Sequence, residues 1–195
     1  MLVVKLGGSL FNTTELQQWL NALADYSKQQ SIVIVPGGGP FADQVRTAQN
    51  LHHFDDSHAH HMALLAMAQF AILLAGMEPQ CQLIRHSEIN PLTMPALSVW
   101  LPGDELLSVN ELPHRWSVTS DSLALWLSQQ LQADELIIIK RAESISNSVA
   151  NLVNSHILDA EFEAQYQASP ITTRLIHFQD YANFEQYQHK GTVIS

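Results

Sequence analysis

Two short apolar runs, each ending in glycines, set most of what this chain can become. Leu2–Leu6 is continuous apart from Lys5 and stops at Gly7-Gly8, while Ile32–Val35 is wholly β-branched and runs into Pro36-Gly37-Gly38-Gly39-Pro40. A continuous apolar run of this length reads as a strand buried on both faces, the kind that parallel sheets contain. Glycines just past such strands let backbone N–H groups approach an anion closely, and a following helix N-terminus adds partial positive charge. Both loops therefore read as oxyanion cradles, although either alone is also compatible with a plain sharp bend.

Helical spacing follows each loop. Leu16, Trp19, Leu20 and Leu23 recur at i, i+3, i+4 and i+7, with Asn12 and Glu15 spaced as a capping pair, and Phe41, Val45 and Ala48 recur after the triple glycine. Asp56 or Ser57 can cap a further helix whose positions Met62, Leu65, Gln69, Phe70 and Leu73 keep the 3.6 period until a stop at Gly76; it is so apolar that both its sides are expected to be covered. Residues 77–115, rich in proline, hold short strand candidates at 81–84, 96–100 and 105–109. Thr119 caps a helix carrying Leu123, Trp126, Leu127 and Leu131, and Leu136–Ile139 forms a buried strand ending at Lys140-Arg141. A polar stretch at 143–155, a helix near 157–167, a strand near 173–178, a helix near 180–187 and a last strand at 192–195 complete the chain.

This alternation predicts one α/β domain over residues 1–195, a three-layer α/β/α sandwich around a mainly parallel central sheet. Ligands bind such sheets at the carboxyl ends of strands. KLGGS, PGGGP and Ile139-Lys140-Arg141 should then share one rim, which would carry two of the four lysines.

Composition narrows the partners. Nine Lys and Arg against nineteen Asp and Glu give a net charge of −10, which argues against a nucleic-acid surface and confines any anion site to a local feature. Hydrophobic residues at 46% against 14% charged residues indicate a folded chain. A single cysteine, Cys81, excludes an internal disulfide and any multi-cysteine zinc site, and points to a reducing cytoplasm. The opening MLVVKLGGSLF does not fit a secretory signal, and the apolar stretch Met62–Met77 is shorter than the roughly 18–20 residues of a span, so no membrane partner is expected. His52, His53, His58, His60 and His61 cluster near Asp55 and Asp56, but no tetrahedral set stands out, and no metal site is expected.

Gly37 to Ala42 also satisfies G-x-G-x-x-A, with Asp55 or Asp56 near the distance expected of a dinucleotide fingerprint. The fingerprint's acid ends a strand, whereas these precede a helix, so nicotinamide binding is the weaker reading. Phosphoryl transfer fits the rim better. Like charges about 4 Å apart repel by about 4 kcal/mol at an effective dielectric near 20, so a polyphosphate meeting a nucleophile needs cations between them. Lys5 and Lys140 can supply them, with Mg²⁺ bridging nucleotide phosphates. Asp121, in the first turn of its helix, is either the carboxylate that orients these lysines or an acid favoured there by the helix dipole.

At these residues the chain resembles the amino acid kinase superfamily of aspartokinase, acetylglutamate kinase, uridylate kinase and related enzymes. The likeness rests on Lys5-Leu6-Gly7-Gly8-Ser9, on Ile32 to Gly39, on Thr119-Ser120-Asp121-Ser122-Leu123-Ala124, and on Gly191-Thr192-Val193-Ile194. The segment Ala59 to Met67 is further similar to a small subgroup, the aminomethylfuran phosphate kinases of one-carbon coenzyme synthesis.

The resemblance implies an ATP-dependent kinase with an acceptor lobe over 1–113 and a nucleotide lobe over 114–195. It implies Lys5, Asp121 and Lys140 as catalytic residues, and Gly7, Gly8, Ser9 and Arg141 at the nucleotide phosphates. Gly37, Gly38, Gly39 and His60 would meet a small anionic acceptor, and relatives commonly form homodimers or larger homo-oligomers. The subgroup implies a phosphate monoester acceptor and a diphosphate product; an amino acid carboxylate giving an acyl phosphate, and a non-catalytic binding module, remain alternatives. Lys140-Arg141-Ala142-Glu143 stands where most relatives carry Thr-Asp and a Gly-Tyr turn for the nucleotide. Residues 143–170 contain neither the glycine nor the lysine of the family's second catalytic segment, which leaves Lys140 to take that role.

Overall fold

The computed structural model describes residues 1–90, 93–143, 146–182 and 184–195. Among the described residues, seven strands make one sheet: β1 (Leu2–Leu6), β2 (Ile32–Pro36), β3 (Gln82–Arg85), β4 (Leu97–Leu101), β5 (Glu135–Lys140), β6 (Thr173–His177) and β7 (Thr192–Val193). Their order is β3-β4-β2-β1-β5-β6-β7, with every neighbouring pair parallel except β6 and β7. The expected three-layer, mainly parallel α/β architecture is thus the observed one.

Strand alternation sorts the core into two layers. Leu2, Val4 and Leu6 pack with Leu16, Trp19, Leu20 and Leu23 of α1 (Glu15–Tyr26), and with Phe70 and Leu74 of α3 (Asp56–Met77). Val3 faces the other layer, with Leu136 and Ile138 of β5, Leu123 and Leu127 of α4 (Ser120–Gln130), Leu152 of α5 (Val149–Asn154) and Phe162 of α6 (Phe162–Ala168). α2 (Gly39–His52) lies along α3 at the rim. The chain leaves β1 toward β2 on one side and returns through β5 on the other, so the strand order reverses at β1, where open α/β sheets form a crevice.

Several expectations are corrected. Asn12 caps nothing: α1 starts at Glu15 behind Thr14, which makes no side-chain cap. Asp55, one residue earlier than expected, caps α3 by accepting the His58 N–H at 2.9 Å. α3 runs through Gly76 to Met77, and it is not covered all round. His60, Leu64, Met67, Ala71 and Leu74 are buried, whereas Met62, Leu65 and Ile72 are exposed. By length and composition this helix could span a membrane, but its packing against β2, β4 and α2 makes it a core helix.

The candidate strand at 105–109 is a 3-10 turn over Asp104–Ser108 that drops Leu106 into the core. The helix near 157–167 begins only at Phe162, and α5 occupies part of the stretch read as polar, of which residues 144–145 lie outside the described residues. The helix near 180–187 is a 3-10 segment over Phe184–His189, with residue 183 outside the described residues; the last strand shortens to Thr192–Val193.

Candidate active site

Alternation along two adjacent strands aims both rim lysines the same way. Lys5 shares the face of Val3, and its parallel neighbour Ile138 shares the face of Lys140 two residues on. Above that face sits the first turn of α4. There the Lys5 Nζ lies 2.8 Å from Asp121 Oδ1, an ion pair, and the Lys140 Nζ donates to Asp121 Oδ2 at 2.6 Å. Lys5 and Asp121 are 4% and 3% exposed, so neither charge is satisfied by bulk water. The Lys140 side chain is less enclosed, at 18%. Two residues distant by more than a hundred positions thus clasp one carboxylate.

Burial acts on the members in opposite directions. Desolvation dominates at Lys5 and, with Lys140 close by, lowers its pKa from the ordinary 10.5 against the pull of Asp121. Burial alone would raise Asp121, but Lys140 and Lys5 together hold it at about 2. At neutral pH the carboxylate is ionised and holds both lysine side chains at the cavity wall.

The two glycine loops meet backbone to backbone. A Cβ on Gly8 would stand 2.3 Å from Gly39 N, and one on Gly37 would stand 2.3 Å from Gly8 N. Gly39 adopts φ +55° where α2 begins, a conformation glycine takes without penalty. A cavity of about 480 Å³ opens in front of this contact, lined by Lys5, Gly8, Ser9, Gly38, Gly39, His60, Asp121, Lys140 and Arg141 among the expected residues. Gly7 and Gly37 stand behind it instead: Gly37 supports Gly8, and Gly7 leaves room for the Lys5 ammonium, 3.3 Å from where its Cβ would be. The Arg141 guanidinium lies over the Phe178 ring at 5.3 Å.

His60 lies on the cavity wall, 4% exposed and stacked on His114 at 5.2 Å. Its Nε2 has no hydrogen-bond partner among the described residues. Burial, then the neighbouring His114 and His61, push its pKa down to about 4, so it is neutral near pH 7. Among the described residues no three His, Cys, Asp or Glu side chains converge as a metal site; His58 pairs with Asp55 and His61 with Asp104. Asp55 is spent as a helix cap and Asp56 Oδ1 accepts from the Gln49 side chain, so both acids considered for a nicotinamide site are engaged at the start of α3.

Sequence reasoning missed Asn12, Asp43, Arg46 and Trp116, which also line the cavity. Asp43 and Arg46 follow Gly39 at i+4 and i+7, so a helical projection from the triple glycine would have found them. The Arg46 guanidinium stacks over Trp116 at 4.4 Å and pairs with Asp43 at 3.1 Å, and Trp116 Nε1 donates to Gln49 at 2.6 Å. Nothing in the sequence around Trp116 signals this place. A second cavity of about 600 Å³ shares Trp116, Thr119, Asp121 and Lys140 with the first and extends past Asn154, His156, Ile157 and Leu158.

Comparison with known proteins assigns the chain that carries this site to a family. The family model described as "Amino acid kinase family" matches residues 1–160. The chain belongs to the amino acid kinase family. It is therefore a phosphotransferase-family kinase, as the sequence resemblance implied. It is 30% identical over 168 residues to the [5-(aminomethyl)furan-3-yl]methyl phosphate kinase of Methanocaldococcus jannaschii, across 80% of this chain and 75% of that one. Uridylate kinase from Archaeoglobus fulgidus superposes with a TM-score of 0.74 at 17% identity, covering 100% of this chain and 99% of that chain. UMP kinase from Ureaplasma parvum superposes with a TM-score of 0.73 at 14% identity, covering 100% and 98%. These amino acid kinase folds share the layered sheet described above.

Proposed function

We propose that this kinase transfers the γ-phosphoryl group of ATP to a small anionic acceptor, a phosphate monoester, giving a diphosphate. The observation that carries the reading is the single buried carboxylate holding two ammonium groups at the mouth of a glycine-lined cavity. Such a triad supplies positive charge where the transferred group develops negative charge, without any reorganisation during the reaction. The name of the Methanocaldococcus jannaschii relative, a phosphate kinase, supports the acceptor class.

In this reading an ionised acceptor oxygen attacks the γ-phosphorus, the bond from that phosphorus to the β,γ-bridging oxygen breaks, and ADP leaves with the electron pair. A phosphate monoester has its second pKa near 6, so its oxygen is already ionised and no general base is needed. Lys5 and Lys140 neutralise the group in flight, and Asp121 holds both ammonium groups in place. Backbone N–H groups of Gly8 and Ser9, with Arg141, take the nucleotide phosphates, while Gly38 and Gly39 face the acceptor and Gly7 and Gly37 shape the loops. His60, neutral, offers its unpaired imidazole nitrogen to the acceptor phosphate.

The residues present fit magnesium brought in on ATP rather than held by a protein cage. Both oxygens of Asp121 are committed to lysines, and no three His, Cys, Asp or Glu side chains among the described residues converge to hold a metal ion. Mg²⁺ retains water and phosphate ligands readily, and would supply charge neutralisation on the β- and γ-phosphates. The nucleotide would occupy the second cavity, on the 114–195 side, with the acceptor against α2 and α3 on the 1–113 side. The apolar stripe Met62, Leu65 and Ile72, with Leu51 nearby in sequence, fits burial against a second copy as a homodimer, and the lone buried thiol fits a cytoplasmic protein.

The test is phosphorus NMR of the protein with Mg-ATP and a panel of phosphate monoesters and carboxylates. Growth of diphosphate resonances alongside ADP, for at least one monoester, is the expected result. An acyl phosphate from a carboxylate, or nucleotide binding with no transfer at all, would replace this reading.

A further inference from the structure

The residues on either side of Asp121 are held by a second carboxylate, that of Asp159. Oδ2 of Asp159 accepts hydrogen bonds from the Thr119 N–H at 2.9 Å, the Thr119 hydroxyl at 2.7 Å and the Ser122 N–H at 3.0 Å. Its Oδ1 accepts from the Ser122 hydroxyl. One side chain therefore ties down the residues at positions −2 and +1 around Asp121, and it satisfies N–H groups that the first turn of α4 leaves free. The hydroxyl of Thr119, the nominal cap, reaches the Asp121 N–H only at 3.4 Å. Asp159 is the stronger restraint on that turn.

Asp159 lies in the segment between α5 and α6, remote in sequence from α4, and that segment is anchored in turn. Glu161 Oε1 accepts from the Ser117 hydroxyl at 2.9 Å and pairs with Arg115 at 3.1 Å. The strap 115–122 is thereby stitched to residues 159–161. Asp159 and the preceding Ile157 and Leu158 also form the wall of the second cavity.

We infer that Asp159 is a positioning residue for phosphoryl transfer, fixing the first turn of α4 so that Asp121 keeps the Lys5 and Lys140 ammonium groups in reacting geometry. This rests on the reading of Lys5, Asp121 and Lys140 as the transfer centre. A plain helix cap would matter only for stability. A positioning residue matters for rate in the folded enzyme, because misplacement of reacting groups by about 1 Å can cost on the order of a hundredfold. Its negative charge also supports the protonated form of Lys5.

The experiment compares Asp159→Asn with the parent, well below either melting temperature, using the acceptor identified by the transfer assay. Expected are a kcat lower by about 30-fold, KM values for ATP and acceptor within about threefold, and a basic limb of the kcat profile moved to lower pH. Ser122→Ala, which deletes one of the four bonds, should shift the same quantities less, by about three- to tenfold in kcat, and carries the test should Asp159→Asn fail to fold. A lower melting temperature with unchanged kcat and unchanged basic limb in these variants would overturn the inference and leave Asp159 a helix cap. Lys5→Met separates the two levels: activity retained in that variant removes the transfer centre itself, whatever Asp159 does.

Discussion

The rim beyond β1 and β2 and the rim beyond β5 and β6 face the same cavity but are built by opposite means. On the first, Gly8, Gly37 and Gly39 touch through their backbones, with no room for a methyl group on Gly8 or Gly37. On the second, the chain leaves β5 through the exposed Arg141 and Ala142, and the wall is closed by the end of α5, the segment that follows it and long-range polar contacts. A phosphate cradle needs N–H groups in fixed directions, which steric locking provides. The opposite wall needs only to place charges, which hydrogen bonds from loops can do.

The sharpest way to break this contrast is to add a methyl group. Gly8→Ala or Gly37→Ala drives a Cβ to 2.3 Å from backbone nitrogen and should cost at least about 3 kcal/mol in denaturant unfolding, with transfer activity lost. Gly76→Ala, where a Cβ meets nothing within 4 Å inside α3, should instead stabilise the fold by about 0.5–1 kcal/mol with activity unchanged. Similar losses at all three positions would mean the loop contact is not special.

Next in size is the carboxylate between the lysines. Asp121→Asn leaves two ammonium groups without their counter-charge, one of them buried, and should cost about 3–5 kcal/mol. In the parent, the folded-state pKa of Asp121 near 2 lies below its ordinary 3.8, so its contribution is complete above about pH 4 and fades as pH falls toward 2. The size is on the order of 2 kcal/mol. Urea unfolding between pH 5 and 2.5 should therefore lose less stability in Asp121→Asn than in the parent; equal acid sensitivity would remove Asp121 as an acid-labile anchor.

Smaller again is the effect of the less enclosed partner. Lys140→Met should lower kcat by about ten- to a hundredfold and move the melting temperature little, because Lys140 is partly solvated and its ammonium is easily released to water. A melting temperature drop as large as that of Asp121→Asn would show the second rim to be as locked as the first.

The same contrast explains what could be read from the sequence. β1, β2 and β5 are continuous apolar runs, and the two-residue alternation through Val3-Lys5 and Ile138-Lys140 already aims both lysines at one face. The glycine loops are legible because only glycine fits there. α3 misled: Met62, Leu65, Gln69 and Ile72 form one apolar-leaning stripe and His60, Leu64, Met67 and Leu74 another, and spacing alone cannot say which stripe meets the sheet. Leu106 looked like part of a strand because one buried side chain in a 3-10 turn leaves the same short apolar signature. Asp159 and Trp116 were invisible, since their partners lie tens of residues away and no local pattern records such contacts.

Transfer by Lys5→Met, measured with nucleotide affinity on the same folded sample, tests the central claim most directly. The buried ammonium is assigned to the phosphoryl group in flight, so kcat should fall by about a hundred- to a thousandfold while the dissociation constant for Mg-ATP stays within about threefold. Undiminished transfer by that variant would contradict the account.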